Sequence, residues 1–297
     1  MTEHQTVTPP FVVGVVGAGT MGVGVAQCAA EAGYEVVVVD ADPTAVTSGP
    51  TRFRDGLRLT RMLRRRPPAA SRPPAEERVR WAGRLEELRD ARFVIECTRE
   101  SIPVKESVFR DLDAVCAPDA VLATCTSAIP VSHLASCTKR PGLVIGTHFM
   151  NPAPLKDAVE VIRGPETEPG TVRRTRELLA AMGKKGIVVE DAPGFVSNRV
   201  LMATVNDAAG VVQEGTADAA SVDQIFQECF GHAMGPLRTA DLIGLDTVVD
   251  SLHVLLECTG DARFEPCDLL VGLTAQGHLG RKTGRGFHVY PPGAARR

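Results

Sequence analysis

A glycine-rich turn between a strand pattern and a helix pattern constrains the fold of this chain more than any other feature. Residues 11–16 form a short, β-branched apolar run, which predicts a buried strand. The turn Gly17-Ala18-Gly19-Thr20-Met21-Gly22 follows at once, and residues 23–32 have a helical pattern. A second apolar run, residues 34–39, ends in Asp40. A GxGxxG turn alone is a weak signal, but between a strand and a helix, with an acid after the next strand, it predicts a dinucleotide-binding unit.

Each part of this unit has a physical role in holding a dinucleotide. Gly17 permits the tight turn, Gly19 lets the backbone approach a pyrophosphate, and Gly22 lets the helix pack close to the strand. Asp40 would accept hydrogen bonds from ribose hydroxyls and repel a 2′-phosphate, and no arginine follows it, so we expect NAD rather than NADP. An FAD site and a nucleotide fold without a ligand are the alternatives. The expected cofactor residues here are Gly17, Gly19, Thr20, Met21, Gly22 and Asp40.

Strand and helix patterns alternate up to about residue 190 and then stop alternating. Such alternation predicts an α/β fold with a doubly wound parallel sheet and helices on both faces. Residues 191–194 interrupt the pattern, and only helical patterns follow them. We therefore expect a nucleotide-binding domain over 1–192 and an all-α domain over 193–297. The helices expected in the second domain span 195–214, 221–230, 240–257 and 267–275.

A histidine and a carboxylate occupy two strand-like runs in the middle of the chain. His148 ends an apolar run that begins at Leu143, and Glu160 lies within residues 158–162. A carboxylate on one imidazole nitrogen fixes the tautomer and strengthens the other nitrogen as a base. Such a pair could take a proton from an alcohol near neutral pH. A buried histidine beside a chance acid explains these residues equally well, but the dinucleotide turn favours a dehydrogenase site.

Composition excludes several other classes of function. A net charge of −3 gives no general attraction to nucleic acid or to a membrane surface. No apolar run approaches the roughly 20 residues of a membrane span, and the first ten residues lack the basic segment of a signal peptide. Eight cysteines without a CxxC motif are typical of reduced thiols, so we expect a cytoplasmic protein. Cys229 and His232 have no further ligands near them in sequence, so we expect no metal site.

Residues 52–66 contain seven arginines, four of which share one face at helical spacing. A stripe of charge is usually only a solvated helix face. It could also dock an anionic partner, such as a substrate with a phosphoadenosine tail or an acidic carrier protein. We expect no nucleic acid, because no aromatic residues interleave with the arginines. The arginine stripe consists of Arg54, Arg58, Arg61 and Arg65.

Several longer motifs follow one another along the chain. They are the turn at 17–22, Glu96 to Glu100 with Lys105, residues 125–127, His148 to Pro152 with Glu160, and residues 193–199, 234–236, 241–246 and 280–287. In this order and at this length they make the chain similar to the L-3-hydroxyacyl-CoA dehydrogenase family over nearly its whole length.

The resemblance implies roles for individual residues. His148 resembles the family's catalytic base and Glu160 the acid that orients it, while Ser127 and Asn198 match polar residues around the substrate oxygen and the histidine. It also implies a Rossmann-like NAD-binding domain, a helical domain that binds substrate and forms a homodimer, and an acyl thioester substrate. Further matches to positions near the nicotinamide ribose or the rest of the cofactor are Glu100, Lys105, Asn151 and Lys282.

Two departures from the family concern the group that carries the acyl chain. Residues 125–128 are Cys-Thr-Ser-Ala where the family usually has Asn-Thr-Ser-Ser, and the arm that grips CoA is Arg-rich rather than Lys-rich. Residues 126–131 and 151–157 are similar to a branch from polyketide extender-unit pathways (methoxymalonyl or hydroxymalonyl carrier protein), which oxidises a glyceryl group on an acyl carrier protein. We expect this branch, with a 3-hydroxybutyryl-CoA dehydrogenase as the alternative. A non-catalytic NADH-binding relative, a dehydrogenase of free hydroxy acids and a pure interaction module are further alternatives.

Overall fold

The computed structural model of the protein describes residues 11–64 and 74–291. The chain divides after Ala192 into two compact units. The first unit contains the strands and the second is built from helices.

One sheet organises the first unit, and eight strands of the described residues belong to it. In chain order they are β1 (Val12–Val16), β2 (Glu35–Val39), β3 (Val79–Ala82), β4 (Ala91–Glu96), β5 (Val121–Thr124), β6 (Val144–Phe149), β7 (Ala158–Arg163) and β8 (Lys185–Glu190). Across the sheet their order is β3-β2-β1-β4-β5-β6-β7-β8. Every neighbouring pair is parallel except β6 with β7.

Helices separate most of these strands along the chain, which confirms the predicted α/β class. They are α1 (Thr20–Ala32), α2 (Pro43–Arg64), α3 (Ile102–Val115), α4 (Val131–Ala135) and α5 (Pro169–Ala181). Except for Val12 at the start of β1, the valines of β1 and β2 are buried, as expected for central parallel strands covered on both faces. Helix α2 buries Phe53 and Leu57 in the same core. Its polar side is therefore left for the arginine stripe.

Two features of the sheet differ from the sequence prediction. The first is β7, which runs antiparallel to β6 although a parallel sheet was predicted. Only residues 150–157 connect the two strands, and a parallel crossover needs about a dozen residues or more. The second is β3, which the sequence did not predict because its four residues lack a clear alternation of buried and exposed side chains.

The second unit consists of helices α6 (Ser197–Gln213), α7 (Ala219–Glu228), α8 (Pro236–Ile243), α9 (Leu245–Thr259) and α10 (Asp268–Ala275). The single helix predicted over 240–257 is wrong, because the chain breaks at Gly244 between α8 and α9. Gly244 has a φ of 106°, which no helical residue adopts. Helix α6 buries Met202 and Val205 in the core of its own unit. Burial within the domain therefore accounts for one face of this nearly uncharged helix.

A buried carboxylate ties the end of the described chain to the helical unit. Asp241, which is 1% exposed, accepts hydrogen bonds from the backbone amides of Phe287 and His288 and from the hydroxyl of Tyr290, each at 2.9 Å. Burial and the charge of Asp241 raise the pKa of Tyr290, so the phenol remains a donor. The His288 ring lies 2.7 Å from a second buried carboxylate, Asp223. Residues 287–290 are thus held mainly by charge-assisted hydrogen bonds.

We expect Asp241→Asn to lower the free energy of unfolding by about 2–4 kcal/mol, because two partly buried backbone donors lose a charged acceptor. Tyr290→Phe is the matched control, since it removes one donor and leaves the carboxylate with both amides; it should cost about 1 kcal/mol. Denaturant unfolding measures both values. Equal losses in the two variants would show that the backbone contacts of Asp241 contribute nothing.

Candidate active site

The candidate site lies at the carboxyl edge of the parallel strands. Strands β1 and β4 are neighbours, but the chain leaves them for opposite halves of the sheet, with β2 on one side and β5 on the other. In open α/β sheets ligands bind outside the carboxyl ends of the strands at such a switch point. The glycine turn follows β1 at this edge, and His148 lies near the carboxyl end of β6. The topology therefore places both predicted features at one edge of the first unit.

The glycine turn has no room for side chains at two of its positions. Gly17 has a φ of 100°, and a Cβ there would lie 2.6 Å from the carbonyl oxygen of Cys97. A Cβ on Gly22 would overlap the carbonyl oxygen of Gly17. The turn is also held to β2, because the Gly17 amide donates to the carbonyl of Val39 at 2.7 Å. Only glycine at both positions permits this close approach of backbone segments.

Gly19 shows where a dinucleotide fits. A Cβ on this residue would meet no protein atom within 4 Å, so the space beside it is open. Gly19 is the N-cap of α1, and Thr20 and Met21 form the first turn, which contains no acidic side chain. The first amides of a helix have no acceptor within it and carry partial positive charge. The predicted residues therefore fit a bound pyrophosphate at this point.

Asp40 is oriented by backbone at the end of β2. Its Oδ2 accepts from the amide of Ala18 at 2.7 Å and its Oδ1 from the amide of Asp42 at 2.9 Å. Each carboxylate oxygen can accept more than one hydrogen bond. Asp40 therefore keeps acceptor capacity for ribose hydroxyls while it fixes the glycine turn to β2.

His148 and Glu160 form the predicted pair. They lie directly opposite each other in the antiparallel pairing of β6 and β7, so their side chains share one face of the sheet. The Nδ1 of His148 lies 3.1 Å from Oε2 of Glu160, and the two residues are only 6% and 8% exposed. With a proton on Nδ1 donated to the carboxylate, the neutral ring has its lone pair on Nε2. The arrangement suits a base whose orientation is fixed by an acid.

Glu100 organises the segment that carries Ser127. One oxygen of Glu100 accepts from the hydroxyl of Thr126, from the amide of Ser127 at 3.1 Å and from the amide of Ala128 at 3.2 Å. This segment directly follows β5, and Ser127 itself is half-buried. The predicted cofactor residue Glu100 thus acts on the backbone around a predicted catalytic residue.

Lys105 is almost wholly buried, with 1% of its surface exposed. Its ammonium contacts both oxygens of Glu96 at 2.9 Å and lies 3.7 Å from an oxygen of Glu100. Burial alone would lower the pKa of Lys105, but the charges of Glu96 and Glu100 outweigh it and raise this pKa, so the side chain stays charged. Any effect of Lys105 on a ligand is therefore transmitted through the two carboxylates.

The remaining predicted residues lie in different elements of the two units. Asn151 is exposed just after β6, Asn198 lies in the first turn of α6, and Lys282 pairs with Asp246 at 2.5 Å in the second unit. Their cofactor and substrate roles stay predictions. Three members of the arginine stripe, at positions 54, 58 and 61, are exposed on α2. The fourth, Arg65, lies outside the described residues.

Sequence reasoning missed Lys184, a buried lysine that contacts the segment between the strands of His148 and Glu160. The ammonium of Lys184 donates to the carbonyls of Ala153 at 2.8 Å, Pro154 at 3.1 Å and Lys156 at 2.6 Å. It therefore holds the segment that joins the strand of His148 to the strand of Glu160. No local sequence motif predicts this role. Each contact joins residues about 30 positions apart in the chain, which come together only in the folded structure.

Within residues 11–64 and 74–291, no group of three or more His, Cys, Asp or Glu side chains is arranged to hold a metal ion. Over the same ranges, no helix has the length and apolar character needed to cross a membrane.

Comparisons with known proteins agree with this geometry. Residues 12–192 match the family model of the 3-hydroxyacyl-CoA dehydrogenase NAD binding domain, and residues 194–290 match that of the 3-hydroxyacyl-CoA dehydrogenase C-terminal domain. A probable 3-hydroxybutyryl-CoA dehydrogenase of Bacillus subtilis (strain 168) is 41% identical over 281 residues, 93% of this chain and 96% of that protein. A 3-hydroxybutyryl-CoA dehydrogenase of Bradyrhizobium diazoefficiens is 40% identical over 278 residues, 94% of each chain.

A solved structure has the same fold. The crystal structure of (S)-3-hydroxybutyryl-CoA dehydrogenase from Ralstonia eutropha superposes with a TM-score of 0.88 at 36% identity, covering 95% of this chain and 99% of that one. The predicted fold, a Rossmann-like sheet followed by a helical domain, is thereby confirmed.

Two alanine substitutions should separate folding from cofactor binding in the turn. Gly22→Ala should lower the free energy of unfolding by about 2 kcal/mol or more, because its Cβ overlaps backbone. Gly19→Ala should change it by less than about 0.5 kcal/mol, since its Cβ meets only open space. It should still weaken NADH about tenfold, equal to about 1.4 kcal/mol, by filling the space proposed for the pyrophosphate. NADH fluorescence titration tests this, and unchanged affinity in Gly19→Ala would place the phosphates elsewhere.

Proposed function

Because this chain belongs to the 3-hydroxyacyl-CoA dehydrogenase family, we propose that it oxidises the 3-hydroxyl of a short 3-hydroxyacyl-CoA, such as 3-hydroxybutyryl-CoA, to the 3-oxo form. As a member of this family it is an oxidoreductase that acts on a CH–OH group with NAD. The observation that carries the proposal is the buried contact of His148 with Glu160.

The relatives support a CoA thioester better than the carrier-bound glyceryl group expected from the sequence. Three of them are 39–41% identical over more than nine-tenths of the chain. One is named a 3-hydroxybutyryl-CoA dehydrogenase and two are named probable 3-hydroxybutyryl-CoA dehydrogenases. The family model likewise names a CoA thioester, 3-hydroxyacyl-CoA. 3-Hydroxybutyryl-CoA, which was only the alternative expected from the sequence, is therefore our first candidate for the substrate.

In the proposed mechanism Nε2 of His148 takes the proton of the substrate hydroxyl. Glu160 holds the ring through Nδ1 and stabilises the positive charge that the ring acquires. Since both side chains are buried, this stabilisation is weakly screened by water. NAD⁺, when bound, supplies the hydride acceptor. The protein's contribution is a base already oriented before the substrate arrives.

Ser127 is proposed as a hydrogen-bond donor to the substrate oxygen. The backbone at Ser127 is fixed by Glu100, which in turn contacts Lys105. A donor held in place in this way favours an oxygen whose charge changes during the reaction. Asn198 is proposed for a similar polar contact, as the family resemblance implies.

The direct experiment is to incubate the protein with NAD⁺ and (S)-3-hydroxybutyryl-CoA and to follow NADH absorbance. We expect NADH to form with the thioester and much less with free 3-hydroxybutyrate, which lacks the handle. Formation of NADH from the free acid alone would contradict the proposal and favour a dehydrogenase of free hydroxy acids.

His148→Gln should lower kcat by about two to four orders of magnitude, because the proton acceptor is lost. Glu160→Gln should lower kcat less and leave KM close to that of the wild type, since it acts by positioning His148. NADH affinity, measured by fluorescence, should stay unchanged in both variants. Glu190→Gln is the matched control, because it removes one carboxylate from an exposed ion pair on β8. A His148→Gln enzyme with more than about a tenth of wild-type turnover would contradict the assignment of the base.

A carrier-bound acyl group remains a second candidate, and the arginine stripe is the observation that favours it. The side chain of Arg58 is 80% exposed, and its guanidinium lies 3.9 Å from the carboxylate of Asp55. Arg54 and Arg61 are exposed on the same helix. Exposed positive charge attracts an acidic carrier protein and also the phosphates of CoA. A CoA substrate and a carrier-bound substrate can be distinguished by how strongly the KM of each depends on the arginine stripe.

If a carrier protein docks on the stripe, the double variant Arg58→Glu/Arg61→Glu should raise KM for the carrier-bound substrate and leave kcat nearly unchanged. The effect should shrink at higher salt, because exposed charges are screened beyond about 10 Å at 0.1 M. Arg173→Glu/Arg176→Glu is the control, since it makes the same change of charge on the exposed face of α5. Equal effects of the two double variants would show that the stripe is only a solvated face.

A further inference from the structure

Two cysteine side chains meet directly behind the glycine turn. Their sulfur atoms, Sγ of Cys97 and Sγ of Cys125, lie 3.4 Å apart. Cys97 follows the last residue of β4, and Cys125 follows the last residue of β5. Since Glu96 pairs with Thr124 in the parallel register, the two cysteines occupy the next pair of positions. The contact is therefore set by the sheet and not by a loop.

The geometry of this pair suits a disulfide. Neighbouring strands lie about 4.8 Å apart, and the Cα atoms of disulfide-linked cysteines usually lie about 4.4–6.8 Å apart. The backbones are already fixed, because the Cys97 amide donates to Val16 at 2.7 Å and the Cys125 amide donates to Glu96 at 2.8 Å. The sulfurs need only approach from 3.4 Å to about 2.05 Å. Rotation of the two side chains can supply most of this movement.

Cys125 is partly exposed, so a small oxidant can reach it. The hydrogen bond to Cys125, together with burial of the thiol, holds the pKa of Cys97 well above its ordinary value. Cys97 therefore keeps its proton and donates it toward Cys125. This makes Cys125 the sulfur placed to react first with an oxidant, and Cys97 the sulfur placed to complete a disulfide.

Cys97 is also part of the packing under the cofactor turn. Its carbonyl oxygen would lie 2.6 Å from a Cβ on Gly17, and its own Cβ would lie 3.4 Å from a Cβ on Gly22. Because neither atom moves when the Cys97 side chain rotates, closure reaches the turn through the part of the movement that displaces the Cys97 backbone toward Cys125. Closely packed segments of this kind transmit small displacements.

We propose that Cys97 and Cys125 form an oxidisable dithiol site that a hydroperoxide closes to a disulfide, and that closure weakens dinucleotide binding. The sulfur of Cys125 attacks the peroxide oxygen, the O–O bond breaks, and a sulfenic acid and water form. The sulfur of Cys97 then attacks the sulfenic sulfur, and its proton leaves with the departing oxygen as a second water. Two thiols are oxidised by two electrons and one hydrogen peroxide is reduced to two waters. A dithiol reductant reverses the closure by exchange.

The experiment uses the full chain in a Cys229→Ser/Cys258→Ser background, because these two cysteines are exposed and would react in parallel. The protein is treated with hydrogen peroxide, freed of it, and divided for two measurements. Peptide mapping without reductant should find the peptides of Cys97 and Cys125 linked. NADH fluorescence titration should show a dissociation constant raised about tenfold, in the range usual for coupling between two sites. Dithiothreitol should restore both.

The matched control is Cys125→Ser in the same background, with Cys125→Ala as a second choice if the serine variant does not fold. Peroxide should leave the NADH affinity of this control unchanged. The proposal is overturned if the linked peptides do not form, or if they form and NADH affinity does not change. The inference rests on the cofactor site and not on the acyl substrate, so failure to oxidise 3-hydroxybutyryl-CoA leaves both measurements interpretable.

Discussion

The turn after β1 packs against the end of β4 with no space for one added carbon atom at Gly17 or Gly22. This close approach starts α1 directly above the carboxyl edge of the sheet and leaves open space at Gly19. Asp40 fixes the same turn from the side of β2. The partner on the side of β4 is the backbone of Cys97, so the dinucleotide turn and the Cys97–Cys125 pair share one tightly packed segment.

The antiparallel direction of β7 brings together the second part of the site, the pair His148 and Glu160. Because only residues 150–157 join β6 to β7, the two strands run antiparallel, and His148 falls directly opposite Glu160. Lys184 fixes the connecting segment from a distant part of the chain. A histidine held by an acid on a neighbouring strand has little freedom to rotate, which suits the proton transfer proposed for His148. The geometry of this pair therefore depends on one short connection and on the buried ammonium that stabilises it.

Helix α2 combines two separate requirements. Its apolar residues Phe53 and Leu57 anchor it to the core of the first unit, which leaves Arg54, Arg58 and Arg61 exposed on its surface. The phosphates of CoA and the surface of an acidic carrier protein present the same charge to such a face. The charge of this face is therefore consistent with either CoA or a carrier protein as the group that bears the acyl chain. The relatives named for CoA thioesters favour CoA. The reaction proposed at His148 is the same with either handle.

The sequence by itself determined the cofactor turn, the α/β class and the choice of NAD, because these depend on contiguous residues such as 17–22 and on one acid at a strand's end. It also predicted that His148 and Glu160 would pair. Only the tertiary structure decided that β7 is antiparallel, that 240–257 breaks at Gly244, and that Cys97 lies against Cys125. The cysteine contact depends on strand register, which local patterns do not encode. The direction of β7 depends on how the strands pair across a short connection, and the break depends on a backbone angle at Gly244 that a helical pattern does not show.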